Sequence, residues 1–167
     1  MPGCVPLLSV ALLLPLTSLP AQETTRAKPH ASQTATVVLP DAVTLGPAPA
    51  ALPPGATVSV LEGDPFKAEA FTMRLRMPDG YKIPPHFHPV MEHVTVISGA
   101  LKVGMGDRLD EGQMKTLPAG SFAAIPPRMH HYALANGETV LQLHGIGPWR
   151  IVYVDKVDDP RTKTARR

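Results

Sequence analysis

Residues 80–99 read GYKIPPHFHPVMEHVTVISG. This stretch holds His86, His88 and Glu92 within a seven-residue window. Neutral imidazole and carboxylate are ligands that first-row transition metals take from proteins. Two histidines two apart on a strand leave the same face, so His86 and His88 point together. Pro84-Pro85 before them and Pro89 after them frame a short extended piece. Glu92 follows a three-residue link and opens the β-branched run Val94 to Ile97, which favours a strand. A bend at that link aims the carboxylate at the same point as the two imidazoles.

On either side the chain reads as short strands and tight turns. Phe71, Met73, Leu75 and Met77 alternate with Thr72, Arg74 and Arg76, the pattern of a half-buried strand. Pro78-Asp79-Gly80 is a turn. Thr57 to Leu61, Ala100 to Met105, Lys115 to Leu117, Ser121 to Ile125 and Trp149 to Val154 are further strand expectations, and Val37 to Leu39 is an edge strand. Ser98-Gly99 is expected to turn the chain between two strands. His131 to Ala135 and Thr139 to His144 are expected to pair through a hairpin at Asn136-Gly137. The chain has 20 prolines and 13 glycines spread between apolar runs, and no segment has a helical period. About eight to ten short strands at regular spacing predict an all-β sandwich or barrel.

Within 167 residues there is room for one domain of ordinary size. The expected divisions are a signal peptide over 1–21, a Pro/Ala-rich linker or N-terminal arm over 22–51, a barrel over 52–160 and a basic tail over 161–167. Val5 to Leu19 is apolar and broken by Pro15, too short to span a bilayer comfortably, and reads as the core of a secretory signal with cleavage after Ala21. That predicts a secreted or periplasmic protein with no membrane attachment once the signal is removed. Cys4 is the one cysteine, so the processed chain has neither disulfide nor thiolate chemistry. The net charge of +2 owes much to the tail. No basic stripe carries interleaved aromatics, so no nucleic-acid partner is expected.

A metal site of this type needs a further ligand, and the His130-His131 pair supplies a candidate about forty residues on. Neighbours on a strand face opposite ways, so one of the two serves, and spacing alone does not choose. Here the residues carry a resemblance. Gly80, five residues, His86-Phe87-His88, three residues, Glu92, six residues and Gly99 match the first motif of the cupin superfamily in every fixed position and gap. Its second motif lies over Gly120, Pro126, Arg128 and His131, with Arg128 where the family has glycine and Ala135 where an asparagine is usual. The resemblance spans roughly Leu52 to Arg161, and the stretches TVISGALKVGMGD and VLQLHGIGPWRIVYV look like small single-domain bacterial cupins. It implies a double-stranded β-helix, the jelly-roll cupin barrel. It further implies one divalent transition metal per chain (Fe, Mn, Ni, Cu or Zn) held by His86, His88, Glu92 and His131, and association as a homodimer.

Other residues carry weaker expectations. Tyr81 and Phe87, with Met91, Met105 and Met129, are core or the wall of a pocket. Gln142 and His144 share one face of a strand expected to line the barrel, where they would orient a substrate or water, or bridge the barrel mouth. His130 falls beside the ligands or at the surface, His93 faces away from the metal by alternation, and Arg74 and Arg76 are surface charges. A three-imidazole, one-carboxylate centre leaves positions for a small-molecule substrate or for dioxygen. The expected activity is therefore that of a metal-dependent enzyme of dioxygenase type on a small enolic or dicarbonyl compound, with Glu92 also accepting a proton. The alternatives are a non-catalytic binder of metal or small molecules, and a metal-dependent isomerase, lyase or decarboxylase.

Overall fold

Backbone pairing turns these apolar runs into a strongly bent β-structure, seen in a computed structural model whose description covers residues 34–164. The expected signal peptide, Cys4, His30, the first part of the N-terminal arm (22–33) and the last three tail residues lie outside the described residues. Nine strands form: β1 (Gly46–Pro47), β2 (Thr57–Glu62), β3 (Ala70–Met77), β4 (Lys82–Phe87), β5 (Glu92–Met105), β6 (Lys115–Pro118), β7 (Phe122–Ile125), β8 (His131–Ile146) and β9 (Val152–Tyr153). All pairings are antiparallel.

Two long strands organise the rest. The first part of β5 pairs with β7 and with the second part of β8, from His93 opposite His144 to Ser98 opposite Val140. The second part of β5 pairs with β6 and with the first part of β8, down to Met105 opposite His131. Strand β3 joins the second part of β8, and β4 joins its first part. One hydrogen-bonded network is thereby folded into two leaves, ordered β1-β2-β3-β8-β5-β7 and β9-β4-β8-β5-β6. This is the jelly-roll barrel of the cupin fold.

The corner explains two departures from the sequence expectations. Ser98-Gly99 does not end a strand, and Asn136-Gly137 does not make a hairpin. Each sits inside one continuous strand, where Gly99 (φ 74°) and Gly137 (φ 77°) bend it from one leaf into the other. An Asn-Gly pair reads as a two-residue turn only when the flanking strands pair with each other. Here each half of β8 finds longer partners in β3, β4 and β5. Thr139, fully buried, ties the corner, its hydroxyl donating towards the carbonyls of Ala100 at 2.9 Å and Gly137 at 3.0 Å. Two smaller corrections concern the ends. Val37 to Leu39 is exposed irregular chain rather than a strand, and only Val152 and Tyr153 of the expected last strand pair.

Between the leaves lies one core. Phe71, Met73, Leu75 and Met77 of β3 are all buried, as their alternation predicts, and pack with Val94, Val96, Leu101, Leu141, Leu143 and Ile151. Each such side chain contributes about 1.5–3 kcal/mol on burial. A methyl group at Gly99 would need a left-handed backbone and would run into the Glu138 carbonyl oxygen and the Thr139 backbone. We expect Gly99→Ala to destabilise the fold by about 2 kcal/mol or more, read as a lowered midpoint in chemical denaturation with an unchanged slope.

Candidate metal centre

The Pro-Pro-His-Phe-His run places two ligand types at the end of β4, where His86 lies directly opposite His131 at the start of β8. Glu92 opens β5 from the other leaf side, opposite Ile125. The four side chains meet inside the barrel and are almost wholly withdrawn from solvent: 3% exposed for His86, 2% for His88, 6% for Glu92 and 3% for His131. One ring nitrogen from each histidine lies within 4.8 Å of the other two. The Glu92 carboxylate faces them, Oε1 at 3.4 Å from His88 Nε2 and Oε2 at 3.5 Å from His131 Nε2.

Backbone carbonyls orient the rings. His86 Nδ1 lies 2.7 Å from the Pro84 carbonyl oxygen, His88 Nδ1 2.7 Å from that of Arg150, and His131 Nδ1 3.0 Å from that of Met129. A carbonyl only accepts, so each Nδ1 carries the proton and each Nε2 keeps its lone pair for the centre. Burial, with help from the neighbouring His131 and His88 rings, pushes the His86 pKa down to about 3. Burial alone would raise the Glu92 carboxyl, but the His88 and His131 rings outweigh it and hold it well below the usual carboxylate range. Three imidazoles and one carboxylate are a donor set that fits a first-row divalent ion.

A fifth residue belongs to this centre and was missed in the sequence. Trp149, 4% exposed, stacks its indole on His88 with ring centroids 4.8 Å apart, and its Nε1–H donates to Glu92 Oε1 at 3.1 Å. Its own backbone N–H donates to the Pro65 carbonyl at 2.6 Å. The available signal was that a lone tryptophan in an apolar strand needs a partner for its N–H. Arg128 stands where the motif has glycine, and it takes the glycine conformation, φ 62°, with its N–H donating to the His88 carbonyl at 2.8 Å. The turn thus survives the substitution.

The weaker candidates lie elsewhere. Gln142 and His144 point out of the barrel, because Leu141 and Leu143 take the inward positions of that part of β8. His144 stacks on His93 at 4.7 Å, and His93 on Phe122 at 5.9 Å, forming an aromatic row on the outer face. His130, next to His131, faces away from the ligands, where its Nδ1 meets Asp107 Oδ1 at 2.5 Å and its ring stacks on Phe87 at 5.2 Å. Tyr81 is core, its hydroxyl donating to the Pro53 carbonyl at 2.5 Å. Arg76 pairs with Glu138 at 2.6 Å on the surface. A cavity of about 40 Å³ adjoins the four ligand residues and is otherwise walled by Trp149 and aliphatic side chains.

Two outcomes follow for purified protein. His86→Ala and His131→Ala are each expected to lose stoichiometric metal by elemental analysis, while His93→Ala keeps it. In metal-free protein, His86 resists protonation that the unfolded chain accepts below about pH 6.5. Its contribution to stability is therefore present near neutrality and lost as pH falls towards 3. The depressed Glu92 acts in the same direction. Melting curves of the chelated protein should shift down between pH 7 and pH 5, and the slope should shrink by up to about one proton in His86→Gln.

Comparison with curated proteins finds no match. Residues 73–146 match the family model described as Cupin domain. Solved structures agree at the level of fold. A candidate acetylacetone dioxygenase from Methylibium petroleiphilum PM1 superposes with a TM-score of 0.59 at 18% identity, covering 78% of this chain and 88% of that one. The polyketide cyclase RemF from Streptomyces resistomycificus gives 0.56 at 20% identity, covering 79% and 94%. A cupin 2 domain-containing protein from Halorhodospira halophila gives 0.51 at 23% identity, covering 68% and 82%. The two-leaved barrel, the domain match over residues 73–146 and these superpositions together show that the chain has the cupin fold.

Proposed function

We propose that this protein is a metal-dependent oxidoreductase of dioxygenase type, acting on a small enolic or dicarbonyl compound through His86, His88, Glu92 and His131. The observation that carries the reading is the convergence of three proton-free Nε2 atoms and one carboxylate in a buried, largely apolar chamber. The superposition with a candidate acetylacetone dioxygenase supports it. A bound redox-active ion supplies Lewis acidity and an electron path between dioxygen and the enolate.

The chain's own groups do the rest. The three imidazoles, locked by carbonyls, hold their lone pairs in place without reorganisation. Glu92 takes the acidic proton of the substrate at one carboxylate oxygen, while Trp149 keeps the other oriented through its N–H. Both oxygen atoms of dioxygen enter the products as one carbon–carbon bond breaks, so the reaction balances with no external reductant. The aliphatic walls exclude water from the reacting groups.

A second reading, a non-catalytic binder of metal or of a small ligand, draws on the near-complete burial of all four side chains. A polyketide cyclase among the similar folds keeps a non-redox isomerase or lyase in view. The proposal includes a secreted or periplasmic location, from the apolar run Val5 to Leu19, and a homodimer. Exposed Ile97, Phe122 and Ile146 on the face that carries the His93–His144 row favour pairing there.

The test is oxygen uptake by protein reconstituted in turn with Fe, Mn, Ni, Cu and Zn, offered 1,3-dicarbonyl and enediol compounds. Uptake equimolar with substrate loss is expected for one or more redox-active ions. Glu92→Gln should retain most metal and lose about 100-fold or more in rate. Tight metal binding without uptake for any ion overturns the dioxygenase reading.

A further inference from the structure

We infer that residues 48–56 form a strap that lifts to admit an organic molecule from a groove outside the barrel, with Leu52 as its gate residue. The opening stands on geometry alone; that the molecule admitted is an enolic or dicarbonyl substrate rests on the function proposed above.

A reaction at His86, His88, Glu92 and His131 needs a way in. None of the four is more than 6% exposed, and the space beside them is about 40 Å³. A cavity that takes a benzene ring is roughly 150 Å³, so part of the wall must move before an organic molecule reaches the ligands. Walls made by β3, β5 and β8 are held by long ladders. The irregular wall around Trp149 is pinned through the Arg150 carbonyl to His88 and the indole N–H to Glu92. Leu52 is different. It lies outside every strand, yet its side chain reaches the interior and is 5% exposed. On its outer side is a groove of about 650 Å³, lined by its own segment with Lys82, Pro84, Asp158 and Pro160. Among the described residues, Leu52 alone lines both spaces.

The segment is built to move as a unit. Pro47 pairs with Thr57, so the two ends of 48–56 sit side by side on one ladder. A loop closed at its base in this way can swing without breaking a strand. Pro49, Pro53 and Pro54 stiffen it internally, and Gly55 (φ 112°) supplies freedom at its exit. The Leu52 N–H donates to the Pro49 carbonyl at 2.9 Å, which keeps the turn that presents the side chain. Two hydroxyls latch the strap to the barrel on either side of Leu52. Tyr153 donates to the Ala51 carbonyl at 2.7 Å and Tyr81 to the Pro53 carbonyl at 2.5 Å. Lifting the strap exchanges these bonds for water and exposes one leucine, far less than opening a ladder demands. Withdrawing one leucine side chain is the scale of change that makes room for a ring-sized guest. The groove's lining carries one cation, Lys82, itself paired with Glu111 at 2.7 Å, and one anion, Asp158. Entry there sorts molecules by size rather than by charge.

Trp149 makes the opening observable, because it lines the chamber and is the chain's one tryptophan. The probe is acrylamide, a small neutral amide, added to full-length protein both metal-free and zinc-loaded. Quenching of Trp149 emission should be weak in the unaltered protein. Leu52→Ala, and the double change Tyr81→Phe with Tyr153→Phe, should each raise the quenching constant by about threefold or more. Met73→Ala truncates a core side chain that lines neither space and should leave it unchanged. The tyrosine pair, which keeps both rings, carries the test if Leu52→Ala does not fold. No rise in the folded strap variants, or an equal rise in Met73→Ala, overturns the inference. With a redox-active ion bound, Leu52→Ala should favour a bulky 1,3-dicarbonyl over a small one by about tenfold in relative kcat/KM. Raised quenching in a protein that turns over no such compound sinks the dioxygenase reading and leaves the gate standing. Turnover with quenching unchanged in Leu52→Ala does the reverse.

Discussion

Everything at the centre depends on three hydrogen bonds from imidazole Nδ1 to main-chain carbonyls at Pro84, Met129 and Arg150. They fix which nitrogen of each ring is protonated and which way it faces. Two of the carbonyls belong to residues two positions before the histidine they serve, so the local backbone of each motif both presents and aims its own ligand. The third comes from the chain just after Trp149. That segment is thereby tied twice to the site, through the Arg150 carbonyl to His88 and through the indole N–H to Glu92. Burying four polar groups is costly unless each is satisfied, and these bonds supply that satisfaction before any ion arrives.

The prolines serve the same end. Pro84 and Pro85 sit on β4 close to its pairing with β9, where a strand can do without some N–H donors. The register of β4 slips between Ile83 and His86. That irregularity brings His86 and His88 both inward, and the run Pro85, His86, His88 is buried more continuously than strict alternation allows. Arg128 shows how far the frame dominates. A non-glycine residue holds a left-handed conformation there, at a cost of order 1 kcal/mol, because its N–H is needed by the His88 carbonyl.

Much of this was legible in the sequence because it is local. The His-x-His spacing, the alternation from Phe71 to Met77 and the β-branched run after Glu92 are short-range signals that survive folding. The choice of His131 over His130 needed the motif register, since type and spacing treat the two alike. What was not legible depends on partners far away in the chain. Asn136-Gly137 has the chemistry of a hairpin, but strands already committed to other partners convert it into a bend. Gln142 and His144 were assigned to the inner face by counting along a strand whose inward residues, Leu141 and Leu143, are one position off. Trp149 could be identified as buried, yet nothing near it in sequence names Glu92, 57 residues earlier, as its acceptor.

The sharing of β5 and β8 between both leaves has a consequence for how the barrel comes apart. Neither leaf owns a complete set of strands, so neither can detach while the other stays folded. Opening one breaks ladder bonds along a strand that the other also needs. The slowest backbone amides to exchange with solvent should therefore form one contiguous set along these two strands, with a common free energy of opening equal to that of global unfolding. The short strands β1 and β9 at the outer edges remain free to fray independently.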